Sequence, residues 1–594
     1  MRKKIVIVGG VAGGASAAAR LRRLDEQAEI IMLERDGYIS FANCGLPYYI
    51  GGAIQDRNRL LVQTPESMRA RFNIDVRIHS EVTLVDTVNK KVTVNSQERG
   101  TYEESFDTLI LSPGAKAIKP PIPGINSARI FTLRNITDTD AIKAITDKKE
   151  MQNAVVIGAG FIGVEMAENL MDKGLRVSLV EAAPQILAPF DSEMAAIIEK
   201  ELIQNGVQLT TGDGVKAFED SDNAINVILA SGTVLTADFV VLAIGVTPDT
   251  AFLKDSGIAL GPKGHIVVNE RMQTSVPDVY AVGDAIEVVN FVTGQKTAIP
   301  LAGPANKQGR IAANNISGLS SSYKGTQGTA ILKAFGLTAA ATGDNERLLE
   351  KAGVACKAIQ IHTVSHVSYY PGTVPMTLKL LFNEEGRVLG AQAVGGDGVD
   401  KRIDVIATVI RLKGTVNDLA ELELAYAPPF SSAKDPVNMA GFVAQNVLNG
   451  KSHLATWADV VKMNREDYIL LDVRTPAEYQ NGHVTGAFNI PVDVLRERLS
   501  SLDKSKTIVA YCQIGLRGYI ADRILSQNGF RVLNVTGGYK SALLFNIPKE
   551  PEFTGNQPGG SAHVRVDPET QTAKTGEKLS SQQTHAPGCT NSSM

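Results

Sequence analysis

The amino-acid sequence predicts an α/β fold in several domains, and three features of the chain support this. Short runs of β-branched residues alternate with helical patterns from the N-terminus onwards. The same strand–helix–strand pattern returns at residue 154. Finally, 594 residues with 44% hydrophobic and 21% charged side chains are enough for roughly four units, each with its own core.

The first strand–helix–strand unit begins at residue 5. Residues 5–8 are predicted to form a buried strand, residues 14–24 a helix, and residues 29–34 the next strand. The connecting turn, Gly-Gly-Val-Ala-Gly-Gly from residue 9, departs from the dinucleotide fingerprint because Val11 replaces its central glycine. Taken alone, this turn is also compatible with a glycine turn that binds no ligand.

The second unit carries the complete fingerprint, Gly-Ala-Gly-Phe-Ile-Gly, between a strand predicted at 154–157 and a helix predicted at 161–173. Its first glycine allows a tight turn, its second lets the backbone approach a pyrophosphate, and its third lets the helix pack closely. Glu181 ends the next strand, predicted at 176–181. A carboxylate there would bond a ribose 2′-hydroxyl and repel a 2′-phosphate, so the unit is predicted to bind NADH, and NADPH less readily.

Further motifs decide how the first unit is interpreted. The segment 274–284, which ends in Val-Gly-Asp, resembles the second FAD motif of flavoproteins with two dinucleotide-binding domains. Segments 109–115 and 240–248 are similar to the two crossover turns of that family. The resemblance implies FAD on the first unit and NADH on the second, which is inserted into the first. The implied FAD contacts are Gly9, Val11, Ala12, Gly13, Gly14, Glu34, Arg35, Asn43, Gly114 and Asp284. The implied NADH contacts are Gly158, Gly160, Phe161, Ile162, Gly163, Glu181 and Gly245.

Cys44 follows the first unit directly and is the candidate redox thiol. A lone cysteine among apolar residues is often only a small buried hydrophobe. Here, however, Gly45 and Pro47 predict a helix start just after the thiol, which would lower its pKa. Disulfide reductases of the glutathione-reductase type have a second cysteine where this chain has Tyr49. Cys44 must therefore cycle as a mixed disulfide, a persulfide or a sulfenic acid, which leaves open reduction of a coenzyme A disulfide, a persulfide, or oxygen or peroxide.

Three segments together closely resemble coenzyme A-disulfide reductases, over roughly residues 1–446. They are Ser-Phe-Ala-Asn-Cys-Gly-Leu-Pro-Tyr from residue 40, Tyr-Tyr-Pro-Gly from 369, and Ala-Tyr-Ala-Pro-Pro-Phe from 425. The resemblance implies a homodimer in which Tyr369 and Tyr426 reach the partner's Cys44, to stabilise a leaving thiolate or donate a proton. The alternative for these tyrosines is interface packing. The sequence does not decide between Tyr369 and Tyr370, and we expect Tyr369. The implied coenzyme A site consists of Arg23, Ser40, Asn43, Gln63 and Arg71.

The C-terminal unit contains three predicted strands, at 468–473, 507–511 and 532–535. Cys512 follows the second of them, in a loop whose backbone N–H groups would stabilise a thiolate or persulfide. Segments 470–479 and 482–487 complete a resemblance to rhodanese domains, which implies that Cys512 carries sulfane sulfur. Asp472 and Arg474 are expected to form a structural ion pair, and Arg517 to attract anionic substrates. The predicted loop residues are Cys512, Gln513, Gly515, Arg517 and Gly518.

These interpretations divide the chain into five parts. An FAD-binding domain is expected from residues 1–110 and 245–324, and an NADH-binding domain from 111–244. An α+β dimerisation domain is expected over 325–446 and an α/β rhodanese domain over 455–550. Residues 551–594 are rich in Gly, Ser, Thr, Gln and Pro, which predicts a disordered tail in which Cys589 is incidental.

The predicted function is flavin-dependent, NADH-driven reduction of coenzyme A persulfide or polysulfide, and of coenzyme A disulfide. The fused rhodanese-like unit favours the persulfide. The open alternatives are coenzyme A-disulfide reduction as the main activity, an NADH oxidase or peroxidase, and, from a different class, a sulfur-carrier protein.

Composition narrows the partners and the location. Lys and Arg total 60 against 63 Asp and Glu without a basic block, so no nucleic-acid partner is expected. No apolar run approaches the roughly 18 residues of a membrane span. Four cysteines without a framework spacing predict a reducing cytoplasm, and no metal site is predicted.

Overall fold

The computed structural model describes residues 3–545 and 547–550. The predicted tail, 551–594, and Cys589 lie outside the described residues. None of the described helices is long and apolar enough to span a membrane. The predicted α/β class, with several domains, is confirmed by the elements that follow.

The N-terminal region contains the first strand–helix–strand unit. Strand β1 pairs in parallel with β2 and β7, and α1 starts two residues before the predicted position. An antiparallel sheet, β4-β5-β6, lies between these parallel strands in the sequence. The elements are β1 (Lys4–Val8), α1 (Ala12–Leu24), β2 (Glu29–Leu33), α2 (Leu46–Gly51), α3 (Pro65–Phe72), β3 (Asp75–Arg77), β4 (Ser80–Asp86), β5 (Lys91–Ser96), β6 (Gly100–Ser105), β7 (Thr108–Leu111) and β8 (Ala115–Ala117).

The second unit follows with its own parallel sheet, in the order β12-β11-β10-β16-β9. Its last strand, β17, pairs antiparallel with β8, which brings the two crossover segments side by side. The elements are β9 (Ile130–Thr132), α4 (Ile136–Thr146), β10 (Asn153–Ile157), α5 (Phe161–Asp172), β11 (Arg176–Glu181), α6 (Ser192–Gln204), β12 (Gln208–Thr211), β13 (Val215–Asp220), β14 (Ile225–Leu229), β15 (Val234–Ala237), β16 (Phe239–Leu242) and β17 (Val246–Pro248).

The chain then returns to the first sheet. Strand β19 pairs in parallel with β7, so that sheet has the order β19-β7-β1-β2-β3. The helix after it packs on α1, where a Cβ on Gly309 would lie 2.4 Å from the carbonyl oxygen of Gly13. A glycine is therefore needed for this close approach. The elements are β18 (Ile266–Val267), β19 (Val279–Ala281), β20 (Ile286–Val289), β21 (Lys296–Thr297) and α7 (Ala302–Ile316).

The third region is an antiparallel sheet, ordered β22-β23-β26-β25-β24, with helices packed on it. Strands β25 and β26 are almost entirely buried, because they lie inside the sheet under these helices. The elements are β22 (Ala330–Ala334), β23 (Leu337–Gly343), α8 (Glu346–Lys351), β24 (Lys357–Val364), β25 (Pro375–Phe382), β26 (Val388–Gly395), α9 (Val399–Arg411), α10 (Val416–Glu421) and α11 (Pro436–Leu448).

The C-terminal region has a parallel sheet, ordered β27-β32-β31-β28-β30. It contacts β24 of the third region, since the Gln360 backbone N–H donates to Thr536 Oγ1 at 3.0 Å. The elements are β27 (Leu454–Ala455), α12 (Trp457–Lys462), β28 (Tyr468–Asp472), α13 (Pro476–Gln480), β29 (His483–Val484), β30 (Phe488–Asn489), β31 (Thr507–Tyr511), α14 (Leu516–Gln527), β32 (Arg531–Val535), α15 (Gly538–Ala542) and β33 (Lys549–Glu550).

Candidate active site

Both glycine turns have the geometry of a dinucleotide turn. Gly158 has a φ of +96°, and a Cβ on Gly163 would lie 1.8 Å from the Gly158 carbonyl oxygen. The turn after β1 repeats this, with a φ of +92° at Gly9 and 1.9 Å between a Cβ on Gly14 and the Gly9 oxygen. A Cβ on Gly160 would meet no atom within 4 Å, so the space beside the second turn is open to a ligand.

A strand-ending carboxylate holds each of these turns. Glu34 accepts a hydrogen bond from the Gly10 backbone N–H at 2.8 Å, and Glu181 accepts one from Ala159 at 2.8 Å. Burial raises the pKa of Glu34, while its backbone hydrogen bonds act in the opposite direction. Both carboxylates therefore lie beside the turns, in the position where the ribose of a bound dinucleotide would lie next to its pyrophosphate.

Arg134, which belongs to none of the sequence motifs, connects the crossover turn at Gly114 to Asp284. Arg134 Nη2 donates to Asp284 Oδ2 at 2.9 Å, and its Nε donates to the Ala115 carbonyl oxygen at 3.1 Å. Nearby, Arg35 forms an ion pair with Asp249. Arg134 follows β9 and reaches the first sheet only in three dimensions, so its role could not be read from local sequence.

Cys44 lies in a 3₁₀ turn, Asn43–Gly45, directly before α2. Cys44 is an exposed residue, while Asn43 Oδ1 is buried and has no hydrogen-bond partner among the described residues. The pKa of the Cys44 thiol is raised, first by desolvation and then by the carboxylates of Glu165 and Asp284. The expected lowering of this pKa by a helix start is therefore wrong for the polypeptide alone, because desolvation and the two nearby carboxylates outweigh the effect of the short helix α2.

Glu165 is a further titratable group near Cys44. It lies on α5, and Tyr48 donates its hydroxyl to Glu165 Oε1 at 3.2 Å. Burial raises the pKa of Glu165 to about 7; the Tyr48 hydrogen bond lowers it, and Glu168 raises it further. The signal in the sequence was its position two residues after the last glycine of the second fingerprint.

Replacing Glu165 with glutamine is expected to change how stability depends on pH. A carboxyl whose pKa is raised by folding contributes stability below its unfolded pKa, and this contribution is lost as the pH rises through the folded pKa of about 7. The melting temperature of E165Q relative to wild type should therefore rise by about 1–2 °C between pH 5 and pH 8. Thermal melts at four pH values check this, with the exposed Glu219→Gln as control. A flat difference would contradict it.

The structure pairs Tyr369 with Tyr426. Their hydroxyl oxygens lie 2.9 Å apart, and both side chains are exposed, at 73% and 45%. The hydrogen bond to Tyr426 raises the pKa of Tyr369. Tyr370 instead packs edge-on against His366, with the ring centroids 5.7 Å apart. Contact with a partner's Cys44 stays a prediction.

A cavity of about 320 Å³ lies beside α1. It brings together Arg23, Ser40 and Gln63 from the predicted coenzyme A set, whereas Arg71 and Asn43 do not line it. Ser40 has a φ of +43°, a conformation fixed by the hydrogen bond from its N–H to the Gly10 oxygen at 2.8 Å. Such strain at a non-glycine residue is typical of a ligand site. Arg20, Phe72 and Arg310 are among the lining residues that the sequence did not predict.

The cavity is strongly cationic. Desolvation and the neighbouring charges of Arg310 and Arg23 lower the pKa of Arg20, so these guanidinium groups lie close together. Arg20 Nε donates to Asn314 Oδ1 at 2.9 Å, and Arg23 lies 6.0 Å from the Phe72 ring centroid. Guanidinium groups beside an aromatic ring suit a polyphosphate with an attached base.

Cys512 is buried at the end of β31, and the loop after it surrounds its sulfur. The Gly515 N–H donates to Cys512 Sγ at 3.1 Å, and the Tyr539 N–H donates to the Cys512 carbonyl oxygen at 2.7 Å. A Cβ on Gly518 would lie 2.4 Å from Asn534 Oδ1, so this glycine lets α14 pack against β32. Gln513 is held by a hydrogen bond from Arg474 Nη1 at 3.1 Å.

The two arginines at this loop are both paired. Arg474 forms a buried ion pair with Asp472 at 2.7 Å, which confirms the expected structural pair. Arg517 donates through Nη1 and Nη2 to the two oxygens of Glu478, both at 2.7 Å. Arg517 was expected to attract anions, and no local sequence pattern indicates that it pairs with this carboxylate.

Comparison with known proteins assigns the chain to a protein family. The family model described as pyridine nucleotide-disulphide oxidoreductase matches residues 3–309, more than half of the chain. The chain belongs to this family. It is therefore an oxidoreductase of the pyridine nucleotide-disulphide class. The family's dimerisation domain matches residues 329–436, and a rhodanese-like domain matches residues 457–543.

Relatives of this oxidoreductase share parts or nearly all of its length. The coenzyme A disulfide reductase of Staphylococcus epidermidis is 38% identical over 445 residues, which are 74% of this chain and 100% of the relative. The crystal structure of reduced Bacillus anthracis CoADR-RHD has 51% identity and a TM-score of 0.90, covering 92% of this chain and 99% of that one. An NAD-dependent persulfide reductase from A. fulgidus has 36% identity and a TM-score of 0.85, covering 91% and 99%.

A carboxylate cluster in this oxidoreductase has the composition of a metal site but is occupied by a lysine. Asp191, Glu193 and Glu346 lie close together at the start of α6 and the start of α8. Lys379 Nζ lies 2.8 Å from Asp191 and 2.9 Å from Glu346, and also pairs with Glu193. These carboxylates raise the pKa of Lys379 against the effect of its burial. The cluster is therefore an interdomain ion-pair network.

Proposed function

We propose that this chain reduces coenzyme A persulfide or polysulfide, and also coenzyme A disulfide, with NADH as electron donor. The observation that carries the proposal is the combination of Cys44, which has Tyr49 in place of a resolving cysteine, with a sulfur-binding loop around Cys512 in the same chain. The named activities of the relatives, coenzyme A disulfide reduction and NAD-dependent persulfide reduction, agree with it.

The cofactor assignment is FAD on the first unit and NADH on the second. The two turns fit dinucleotides because a tight glycine turn, a close helix packing and a strand-ending carboxylate occur in both. A bound FAD would supply the two-electron relay between NADH and the sulfur of Cys44. Asp284, held by Arg134, and the turn at Gly114 would orient it. We assign residues 1–110 and 245–324 to this domain and residues 111–244 to the NADH domain.

The proposed reaction at Cys44 balances in atoms and electrons without a second cysteine of the protein. Its thiolate attacks the coenzyme A sulfur of the persulfide, the S–S bond breaks, and hydrosulfide leaves with the electron pair. Two electrons from NADH then split the Cys44–coenzyme A disulfide, which returns the thiolate and releases free coenzyme A. With coenzyme A disulfide the first leaving group is a second coenzyme A thiolate. Tyr369 and Tyr426 of the partner subunit would donate the proton or hydrogen bond that stabilises it.

A second candidate is reduction of coenzyme A disulfide as the main activity. It is favoured by the match to the staphylococcal coenzyme A disulfide reductase, whose whole length aligns with 74% of this chain. That relative is therefore named for this activity although it is too short to include a counterpart of the C-terminal rhodanese-like region. A water-forming NADH oxidase from Lactobacillus brevis shares 28% identity and a TM-score of 0.73 over 75% of this chain. Asn43 and the tyrosine pair favour a coenzyme A substrate over oxygen.

Anaerobic steady-state NADH oxidation tests the proposal. Purified flavin-loaded enzyme is given coenzyme A persulfide or coenzyme A disulfide, and the values of kcat/KM are compared. We expect a preference for the persulfide of at least about tenfold. Preference for the disulfide would support the second candidate, and turnover with oxygen alone would contradict both.

Replacement of Glu181 by glutamine is expected to weaken discrimination against NADPH. Glutamine keeps one oxygen that can accept from the Ala159 N–H or the Ala183 N–H, and it removes the charge that repels a 2′-phosphate. The kcat/KM for NADPH should rise about tenfold, while that for NADH changes little. The exposed Glu219→Gln serves as control. An unchanged NADPH value would show that the carboxylate does not face the ribose.

A further inference from the structure

The charge around Cys512 limits the sulfur donors that its loop accepts. Arg517 faces the Cys512 sulfur, but both of its outer nitrogens bind Glu478 at 2.7 Å. Arg474, the other arginine at the loop, forms an ion pair with Asp472. Each of these two arginines is therefore balanced by a carboxylate.

The pairing of Arg517 is fixed from outside the loop. Glu478 occupies the first turn of α13, and its Oε2 accepts hydrogen bonds from the N–H and the hydroxyl of Thr475, at 3.0 and 2.9 Å. Arg517 lowers the pKa of Glu478 to about 2, so this carboxylate stays charged at neutral pH. If Arg517 turned towards a ligand, the Glu478 carboxylate, which caps α13, would lose its ion-pair partner.

The rim of the loop is apolar. Ile514 and Leu516 flank Gly515 and are 41% and 62% exposed. Burial, and then repulsion from the charge of Lys200 on α6, lower the pKa of the half-buried Lys540. A donor that approaches Cys512 therefore meets backbone N–H groups, two exposed aliphatic side chains and an arginine–glutamate pair.

We propose that Cys512 takes sulfane sulfur from the persulfide of a small-molecule thiol and discriminates against thiosulfate, with the Glu478–Arg517 pair as the specificity determinant. A persulfide group carries at most one negative charge, whereas thiosulfate carries two, shared between its outer sulfur and its three oxygens. A neutral ion pair gives the dianion little compensation for its lost hydration. The aliphatic rim suits the uncharged arm of a thiol such as pantetheine. This inference rests on the proposed role of Cys512 as a sulfur carrier.

The transfer step balances without an external oxidant or reductant. The Cys512 thiolate attacks the outer sulfur of the donor persulfide, and a new S–S bond forms. The donor S–S bond breaks and its electron pair leaves on the donor sulfur as a thiolate. The proton remains on the transferred sulfur, or is lost to water, and the Gly515 N–H that faces Sγ stabilises the anionic product.

The test measures loading of Cys512 in the Cys44→Ser chain, in which the reductase thiol is absent. Intact-mass spectrometry follows the added sulfur after mixing with thiosulfate or with coenzyme A persulfide. We expect thiosulfate to load Cys512 at least about 100-fold more slowly. Equal second-order rates for the two donors would overturn the inference, and this comparison needs no change at Glu478.

The variant Glu478→Gln then tests the determinant. Glutamine can keep the bonds to Thr475 while leaving Arg517 with its full charge. Thiosulfate loading should become about tenfold faster, and persulfide loading should change less than about twofold. The exposed Glu466→Gln in the same domain is the control. Unchanged thiosulfate loading in a folded E478Q would contradict the role of the pair.

The outcome is distinguishable from failure of the proposed function. If thiosulfate loads Cys512 well while NADH oxidation with coenzyme A persulfide proceeds, only the donor preference is wrong. If neither donor loads Cys512 in the wild-type loop, the carrier role itself is refuted, together with this inference.

Discussion

Replacing Cys44 with serine is expected to abolish NADH-linked reduction of coenzyme A persulfide and of coenzyme A disulfide. The hydroxyl has the size of the thiol, but it cannot form the mixed disulfide on which both reactions depend. We expect kcat/KM to fall by at least about 10³-fold for both substrates. Anaerobic NADH oxidation measures this, with flavin content and melting temperature compared between the variant and wild type.

The matched control for this prediction is Cys356→Ser. Cys356 is a partly buried thiol that packs against the core of the third region, away from both sulfur sites. This variant should keep at least about half of the wild-type rate. Substantial substrate-dependent turnover in C44S, with its flavin retained, would show that another group carries the reducing equivalents.

Replacing Cys512 with serine is expected to separate the two halves of the chemistry. Cys512 is buried directly after β31 of the C-terminal sheet, and its sulfur accepts a hydrogen bond from the Gly515 N–H of the same domain. Reduction of coenzyme A disulfide and of preformed coenzyme A persulfide should therefore stay within about twofold of wild type. Transfer of sulfane sulfur from a donor to the enzyme or to free coenzyme A should fall by at least about 10³-fold.

Two assays on the same preparation check this second prediction. One follows NADH with coenzyme A disulfide, and the other follows persulfide formation on the protein and on added coenzyme A. Parallel loss of both activities in a folded C512S would mean that the two cysteines act in one obligatory relay. Retention of full sulfur transfer would exclude Cys512 as the carrier.

The parts of the fold that the sequence predicted are those with local causes. The glycine fingerprint at Gly158 needs a positive φ and a close helix contact, and both occur where the pattern placed them. The strands of the two parallel sheets are buried on both faces, so their β-branched runs were easy to identify. The small antiparallel sheet β4-β5-β6 was missed, although the alternating polar and apolar residues of β4 and β5 are the pattern of half-buried strands.

The site was predictable where one segment carries its chemistry, and not where distant segments meet. Cys44 and Cys512 were identified from their own neighbourhoods. Arg134 and Arg310 enter their sites from regions far along the chain, and no spacing links them to Asp284 or Arg23. The same limit applies to the charges that shift a pKa. The higher pKa of Cys44 arises partly from Glu165 of α5, which approaches it only after the two units pack together.

The most direct test of the central claim is the product stoichiometry of anaerobic turnover with coenzyme A persulfide. Free thiol, sulfide and consumed NADH are quantified together in a single reaction. Reduction through Cys44 requires one sulfide and one coenzyme A for each NADH. Oxidation of NADH without sulfide release, or sulfide release that does not depend on NADH, would contradict the proposed reductase.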